Sequence, residues 1–197
     1  MKINLLGFDF DSVIVDTAIT LCGLITEHLG YPVGLETIKH YTIELNYPGM
    51  TKKDAEKILN LCLNHDNTIA TPTIDGALDF LKWYAKTNYI YIITNRKVLE
   101  PVDFYLQHNL DKQTYEKVNL YYTKDKGKLC RSLGVTHFID DYMNNIVNVA
   151  NAGIIPILFS RSWNINILKS GSILRQLIQI VNSWEDIYHL ITCKNGL

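Results

Sequence analysis

The segment Leu5-Leu6-Gly7-Phe8-Asp9-Phe10-Asp11-Ser12-Val13-Ile14-Val15-Asp16 begins as an apolar run and then presents two carboxylates. Short apolar runs that end in polar residues are typical of buried strands in a parallel sheet. Residues i and i+2 of an extended segment share a face, so Asp9 and Asp11 can face one site. The segment therefore predicts a buried strand that delivers two acids to the edge of a sheet.

Similar apolar runs recur along the chain, and segments with helical spacing lie between them. The predicted strands are Ile3 to Asp9, Tyr89 to Thr94, Val118 to Tyr122, His137 to Asp140 and Ile155 to Phe159. The predicted helices of the same region are Ile74 to Lys86, Leu99 to His108, Lys126 to Leu133, closed by Gly134, and Asn144 to Ala152. Alternation of this kind predicts an α/β fold, a doubly wound, Rossmann-like parallel sheet of about five strands.

The connection between the first two predicted strands is far longer than an ordinary crossover. It contains helical patterns from Ala18 to Leu29 and from Thr51 to Asn64, the second opened by a Thr51-x-x-Asp54 capping box. We expect a small helical cap of residues 18–73 over the carboxyl edge of the sheet. Residues 1–17 and 74–197 then form the α/β core.

Composition restricts the class of protein. The 197 residues are 47% hydrophobic and 20% charged with a net charge of -1, which predicts a globular protein without a general affinity for nucleic acid or membranes. The four cysteines form no CxxC pair and no secretory leader precedes the first strand, which predicts reduced thiols and a cytoplasmic location. The apolar runs are shorter than the roughly 20 residues that cross a bilayer. We expect no membrane attachment and no stable nucleic-acid complex; the oligomeric state stays open.

A second pair of acids, Asp140 and Asp141, ends the strand that begins at His137. Ligands of open α/β sheets bind outside the carboxyl ends of the strands, so the two acid pairs are neighbours if their strands are adjacent. Carboxylates 4 Å apart repel by about 4 kcal/mol per pair at an effective dielectric near 20. A bound cation relieves this repulsion, and oxygen ligands alone favour Mg²⁺.

The second strand ends in Thr94, Asn95 and Arg96, which offer a hydroxyl, an amide and a guanidinium to an anion. Lys126 and Lys128 open a predicted helix and can supply an ammonium, and the spacing does not decide between them. Acids, a cation, a hydroxyl and an ammonium together predict a phosphoryl-transfer site.

The order of these motifs resembles that of the haloacid dehalogenase (HAD) superfamily. The motifs are Phe8-Asp9-Phe10-Asp11, then Thr94, then a lysine, then Asp140-Asp141. Within the superfamily the chain resembles the 5'(3')-deoxyribonucleotidases and their bacterial relatives, on the stretches Ile92-Ile93-Thr94-Asn95-Arg96, Phe159-x-Arg161-x-Trp163-Asn164 and Val181-Asn182-Ser183-Trp184-Glu185. It departs from them at Ser12, where Gly is commonest, and at Asn95, where Ser is frequent.

The resemblance implies a Mg²⁺-dependent phosphomonoester hydrolase that acts on a small phosphorylated substrate, with nucleoside monophosphates first. It implies that Asp9 attacks phosphorus, while Asp11 protonates the leaving oxygen and then activates water. Asp9, Asp11 through its backbone carbonyl, and Asp140 would hold Mg²⁺, and Asp141 would be a further acid at the ion or would lie behind these ligands.

By the same resemblance Thr94, Asn95 and Lys126 bind the phosphoryl group. Arg96 and Lys128 are candidate substrate contacts, and Lys128 competes with Lys126 for the role of the motif lysine. Alternatives stay open: another small phosphometabolite or a nucleic-acid end as substrate, or a non-catalytic phosphate-binding module. The two acids of the first strand could also serve a turn or cap, and Thr94 could cap a helix.

Overall fold

The structure is a computed structural model that describes residues 5–165 and 178–193. The described strands form one parallel sheet in the order β3-β2-β1-β4-β5-β6. They are β1 (Leu6–Phe8), β2 (Ile90–Thr94), β3 (Val118–Tyr122), β4 (His137–Asp140), β5 (Ile155–Phe159) and β6 (Gln179–Val181). The predicted doubly wound sheet is confirmed. The predicted number of about five strands is one too low, because β6 is only three residues long, which is too short for its pattern to separate a strand from a loop. The predicted start of the first strand, Ile3, lies outside the described residues.

Helices flank and cap this sheet. They are α1 (Thr17–Leu29), α2 (Lys52–Cys62), α3 (His65–Ala70), α4 (Ala77–Ala85), α5 (Glu100–Asn109), α6 (Lys112–Tyr115), α7 (Lys126–Leu133), α8 (Met143–Asn151) and α9 (Trp184–Cys193). The predicted capping box is confirmed, since Thr51 and Asp54 cap each other's backbone at the start of α2. No helix in the described part of the chain is long and apolar enough to cross a membrane.

Strand order places a crevice at the centre of the sheet. Strands β1 and β4 pair in parallel, with Phe8 opposite Ile139, and the Asp9 N–H donates to the Ile139 carbonyl at 2.9 Å. The chain winds outward from β1 on one side and from β4 on the other, so the reversal of order lies between these two strands. In open α/β sheets such a reversal is where ligands bind. The two acid pairs lie at this point.

The apolar core lies around β1 and its neighbours. Phe8 is fully buried and packs against Phe80 and Trp184, at 6.1 and 5.6 Å between ring centroids. The Trp184 indole N–H donates to the Val13 carbonyl at 2.9 Å, which ties α9 to the loop after β1. The loop that carries Asp11 therefore rests on a packed aromatic core.

The chain leaves the sheet near Asp16 and returns near Pro72. The Asp16 N–H donates to the Pro72 carbonyl at 2.8 Å, and the Ile74 N–H to the Ile14 carbonyl at 2.9 Å. Between these points the inserted residues bury an apolar cluster of their own: Ile25, Tyr47, Met50, Ala55 and Ile58. The predicted helix from Thr51 to Asn64 is α2, and a short helix that was not predicted, α3, follows it and is capped by the Asn64 side chain.

Candidate active site

Three carboxylates meet at the β1–β4 crevice. Asp9, Asp140 and Asp141 each place one oxygen within 4.8 Å of the others, and all three residues are buried. Asp140 accepts hydrogen bonds from the Tyr142 N–H at 2.8 Å and the Asn145 amide at 3.0 Å. The sequence left open whether Asp141 lies at the ion or behind its ligands, and the structure places its carboxylate in the same cluster as the other two.

Lys126 supplies the ammonium for this cluster. Its side chain is buried, and Nζ lies 2.8 Å from Asp9 Oδ1 and 2.7 Å from Asp140 Oδ2. Burial alone would lower the pKa of this ammonium, but Asp140 and Asp9 raise it above the usual value. Lys128, the competing candidate, is exposed, and its backbone N–H donates to the Asp125 side chain that caps α7. Of the two lysines, Lys126 is the one at the acids.

The cluster carries more negative than positive charge. Burial raises the pKa of Asp9 to about 7; the charges of Asp140 and Asp11 add to the rise, and Lys126 opposes it. Burial also raises the pKa of Asp141, with Asp140 and Asp9 adding to the effect. Such shifts express the cost of keeping unbalanced carboxylates out of water. Three clustered oxygen ligands with excess negative charge fit a hard divalent cation such as Mg²⁺.

Asp11 lies outside this cluster and is held by other partners. Arg96 donates to both of its oxygens, from Nε at 2.8 Å and from Nη2 at 2.5 Å, and the Thr17 hydroxyl donates at 2.6 Å. Burial acts to raise the pKa of Asp11, but Arg96 and Thr17 outweigh it and lower the pKa below its usual value. Asp11 is therefore a carboxylate at neutral pH in this arrangement.

The end of β2 brings Thr94, Asn95 and Arg96 to the same edge of the sheet. Thr94 is fully buried, and its hydroxyl accepts a hydrogen bond from the Arg96 N–H at 3.1 Å. Asn95 is exposed and lines the neighbouring cavity. The Arg96 side chain is buried against Asp11, and its Nη1 also donates to the Thr68 hydroxyl of α3 at 2.6 Å.

Residues after β5 contact both acid-bearing loops, and sequence reasoning assigned them no role at the site. The Trp163 indole N–H donates to Asp141 Oδ2 at 2.9 Å, and the Asn164 amide donates to the Asp141 carbonyl at 2.9 Å. Arg161 donates to the Ser12 carbonyl from Nε at 2.9 Å and Nη2 at 2.8 Å. The stretch Phe159-x-Arg161-x-Trp163-Asn164, which carries part of the family resemblance, is the signal in the sequence that could have found them.

Ser12 adopts the left-handed backbone conformation, with φ at 57°. A residue with a β-carbon is strained there, and glycine is not. This geometry explains why glycine is commonest at this position among the proteins that the motif resembles. The paired Arg161 contacts on the Ser12 carbonyl hold the strained loop in place.

A cavity of about 520 Å³ lies between the acids and the inserted helices. Asp11, Asp141 and Asn95 line it from the core, and apolar side chains of the insert, such as Leu21, Ile43 and Leu59, line it from the other side. Its volume falls within the range of roughly 300–1,000 Å³ of small-molecule sites. At one side the Tyr41 ring of the insert stacks on Tyr142 of the core, with 3.8 Å between centroids.

Comparison with known proteins gives structural matches without sequence matches. No protein-family profile matches the chain, and no curated protein matches its sequence. A haloacid dehalogenase-like hydrolase from Streptococcus pneumoniae superposes with a TM-score of 0.67 at 14% identity, over 96% of this chain and 98% of that chain. A proposed phosphoglycolate phosphatase from Lactobacillus delbrueckii gives a TM-score of 0.65 at 18% identity, over 97% and 99% of the two chains.

A HAD-type hydrolase from Bacillus subtilis, whose structure is bound to magnesium, gives a TM-score of 0.61 at 16% identity, over 96% of this chain and 98% of that chain. The chain is an α/β protein with a parallel sheet. An acid cluster lies where the order of the strands reverses, and helices are inserted after the first strand. Within this class, the chain has the fold of the HAD-like hydrolases.

Proposed function

We propose that the protein is a Mg²⁺-dependent phosphomonoester hydrolase in which Asp9 is the nucleophile. The observation that carries this proposal is the contact of the Asp9 carboxylate with the buried Lys126 ammonium at 2.8 Å, within a cluster of three acids. A divalent cation balances the excess negative charge of such a cluster, and the cation and Lys126 together can then bind an anionic phosphoryl group. A turn or a helix cap needs no buried lysine between two carboxylates.

Asp9 attacks phosphorus and forms an aspartyl-phosphate, which water then hydrolyses. Lys126 neutralises charge on Asp9 and on the incoming phosphoryl oxygens. Asp9, Asp140 and Asp141, with the Asp11 backbone carbonyl that the resemblance implies, would hold Mg²⁺. The bound cation supplies positive charge against the phosphoryl oxygens and neutralises the cluster.

Asp11 serves the proton transfers. Asp11 is ionised in this arrangement, which is the form that accepts a proton from the water that attacks the aspartyl-phosphate, while Arg96 and Thr17 lower its proton affinity. To protonate a leaving oxygen it must first gain a proton, which the Arg96 contact opposes. The first step is therefore fastest for leaving groups that need little protonation, such as aryl oxygens.

Nucleoside monophosphates are the first substrates to test. The apolar side of the cavity, formed by the insert, suits an uncharged leaving group with an aromatic or aliphatic surface. Another small phosphometabolite is the nearest alternative, because one structural neighbour is described as a proposed phosphoglycolate phosphatase. Phosphoglycolate differs in carrying a carboxylate on its leaving group.

The test is phosphate release from 4-nitrophenyl phosphate, a panel of nucleoside monophosphates, phosphoglycolate, sugar phosphates and 5'-phosphorylated oligonucleotides, with and without Mg²⁺. Asp9→Asn should abolish release, and Asp79→Asn, an exposed aspartate on α4, should leave it unchanged. Release by Asp9→Asn at the wild-type rate would reject Asp9 as the nucleophile. A wild-type protein inert toward the whole panel, yet binding phosphate in calorimetry, would favour the non-catalytic binding module.

A further inference from the structure

The segment after β5 contacts the loop after β1, the loop after β4 and its own strand, and so connects the two loops that carry the acids. Arg161 holds the Ser12 carbonyl in the loop after β1, and Asn164 holds the Asp141 carbonyl in the loop after β4. Asn164 also donates to the Phe159 carbonyl at 2.8 Å, which fixes the segment to its own strand. These side-chain hydrogen bonds go to backbone carbonyls and set the positions of the loops, and Arg161 also lies 3.8 Å from the Asp16 carboxylate, outside the acid cluster.

Trp163 differs, because its contact is to a side chain of the acid cluster. Its indole N–H donates to Asp141 Oδ2 at 2.9 Å, and both side chains are buried. The same ring packs in a cluster with Ala18, Cys22 and Ile38 of the insert, and it lines the cavity. One side chain thus contacts a carboxylate of the cluster and the inserted helices.

We propose that Trp163 is a positioning residue that orients Asp141 for the cation, and that the packing of the insert against Trp163 sets the affinity for the cation. This inference rests on the cation site of the proposed function and is independent of the substrate. An indole N–H only donates, so it pairs with a carboxylate oxygen and restricts the rotation of that side chain. Partners that orient a ligating carboxylate raise the affinity for the metal.

The first test uses matched tryptophans. Trp163→Phe removes the N–H and keeps most of the ring, and Trp184→Phe removes another buried indole donor, whose partner is the Val13 carbonyl at the same distance of 2.9 Å. The measurement is calorimetric titration of Mg²⁺ into each metal-free protein without substrate. Trp163→Phe should weaken Mg²⁺ binding about ten-fold, and Trp184→Phe should leave the dissociation constant near the wild-type value.

The second test addresses the insert. Ile38→Ala removes apolar packing against Trp163, while Ile58→Ala removes a similar buried side chain from the separate cluster of the insert. Ile38→Ala should weaken Mg²⁺ binding several-fold and Ile58→Ala should not, because only the former changes the support of Trp163. Thermal unfolding of each variant checks that the titrated protein is folded.

The outcomes separate this inference from the proposed function. A wild-type protein that binds no divalent cation overturns the cation site itself. A wild-type protein that binds Mg²⁺, with Trp163→Phe binding equally well, overturns the role of Trp163 and leaves the proposed function intact. Equal weakening by Trp163→Phe and Trp184→Phe, or by Ile38→Ala and Ile58→Ala, also overturns it, since general destabilisation would then be the cause.

Discussion

Replacing the proposed nucleophile should make the metal-free protein more stable. Burial raises the pKa of Asp9 from 3.8 to about 7, so between these values the folded state binds more protons than the unfolded state. Stability from this group is therefore fully present below the unfolded pKa and is lost as the pH rises to 7. At 1.36 kcal/mol per pKa unit, the ionised side chain costs the folded state about 4 kcal/mol at pH 8.

Asp9→Asn removes that cost because the amide is neutral at every pH and has nearly the same shape. The expected gain in the free energy of unfolding is about 4 kcal/mol at pH 8 and about 2 kcal/mol at pH 5, where the wild-type side chain is already protonated in the folded state. Urea denaturation in EDTA at the two pH values measures it. The exposed Asp79→Asn, in the first turn of α4, should lower the free energy of unfolding by no more than about 1 kcal/mol at pH 8 and should produce no gain at either pH.

The reasoning fails if Asp9→Asn is no more stable than the wild type at pH 8, or if its gain is the same at both pH values. Saturating Mg²⁺ provides an independent check, because a ligand that binds only the folded state stabilises it. Mg²⁺ should raise the unfolding free energy of the wild type at pH 8 far more than that of Asp9→Asn. Equal stabilisation of the two proteins would show that the cation binds elsewhere.

Substitutions at three further positions test the contacts that hold the acid cluster and its loops in place. Lys126→Met leaves two buried carboxylates without their ammonium and should lower the unfolding free energy by about 3–5 kcal/mol at pH 8 without metal, by urea denaturation; unchanged stability would contradict the ion pairs. Gly127→Ala places a β-carbon 2.5 Å from the Asn148 carbonyl oxygen, so α7 must shift. The shift should lower the free energy of unfolding by about 1–3 kcal/mol and lower kcat, and a variant with wild-type stability and kcat would refute the close packing. Ser12→Gly should raise the free energy of unfolding by up to ~1 kcal/mol and with it the midpoint of thermal unfolding, while Ser12→Ala should not. Equal midpoints for the two variants would argue against backbone strain at Ser12.

The fold could be predicted from the sequence wherever a local pattern determines the structure. Alternating apolar runs and helical segments predicted the parallel sheet, and the capping box at Thr51 predicted the start of α2. Strand β6 was not predicted because three residues give too little pattern to separate a strand from a loop. Helix α3 was not predicted, because Asn64 fits the helical spacing of the residues before it, while the Asn64 side chain caps the helix that follows.

The acids at the sheet edge could be predicted because strand ends are visible in the sequence, and parallel strands bring their carboxyl ends together. The choice between Lys126 and Lys128 could not, because the predicted start of α7 does not show which residue of its first turn faces the acids. With Asp125 as the cap, the first helical residue points to the acids and the third lies exposed. The pairing of Trp163 with Asp141 spans 22 positions and arises from the packing of two loops, which no spacing in the chain reveals.

Residues of the insert take part in the hydrogen bonds that keep Asp11 ionised. Thr17, which donates to Asp11, is the first residue of α1, and Thr68, which accepts from Arg96, lies in α3. Both hydroxyls belong to inserted helices, whereas Asp11 and Arg96 follow strands of the sheet. The hydrogen bond from Thr17 acts with the larger effect of Arg96 to lower the pKa of Asp11, whereas burial acts to raise it. The insert therefore contributes, through Thr17 and through the contact of Thr68 with Arg96, to holding Asp11 in the ionised form that accepts a proton.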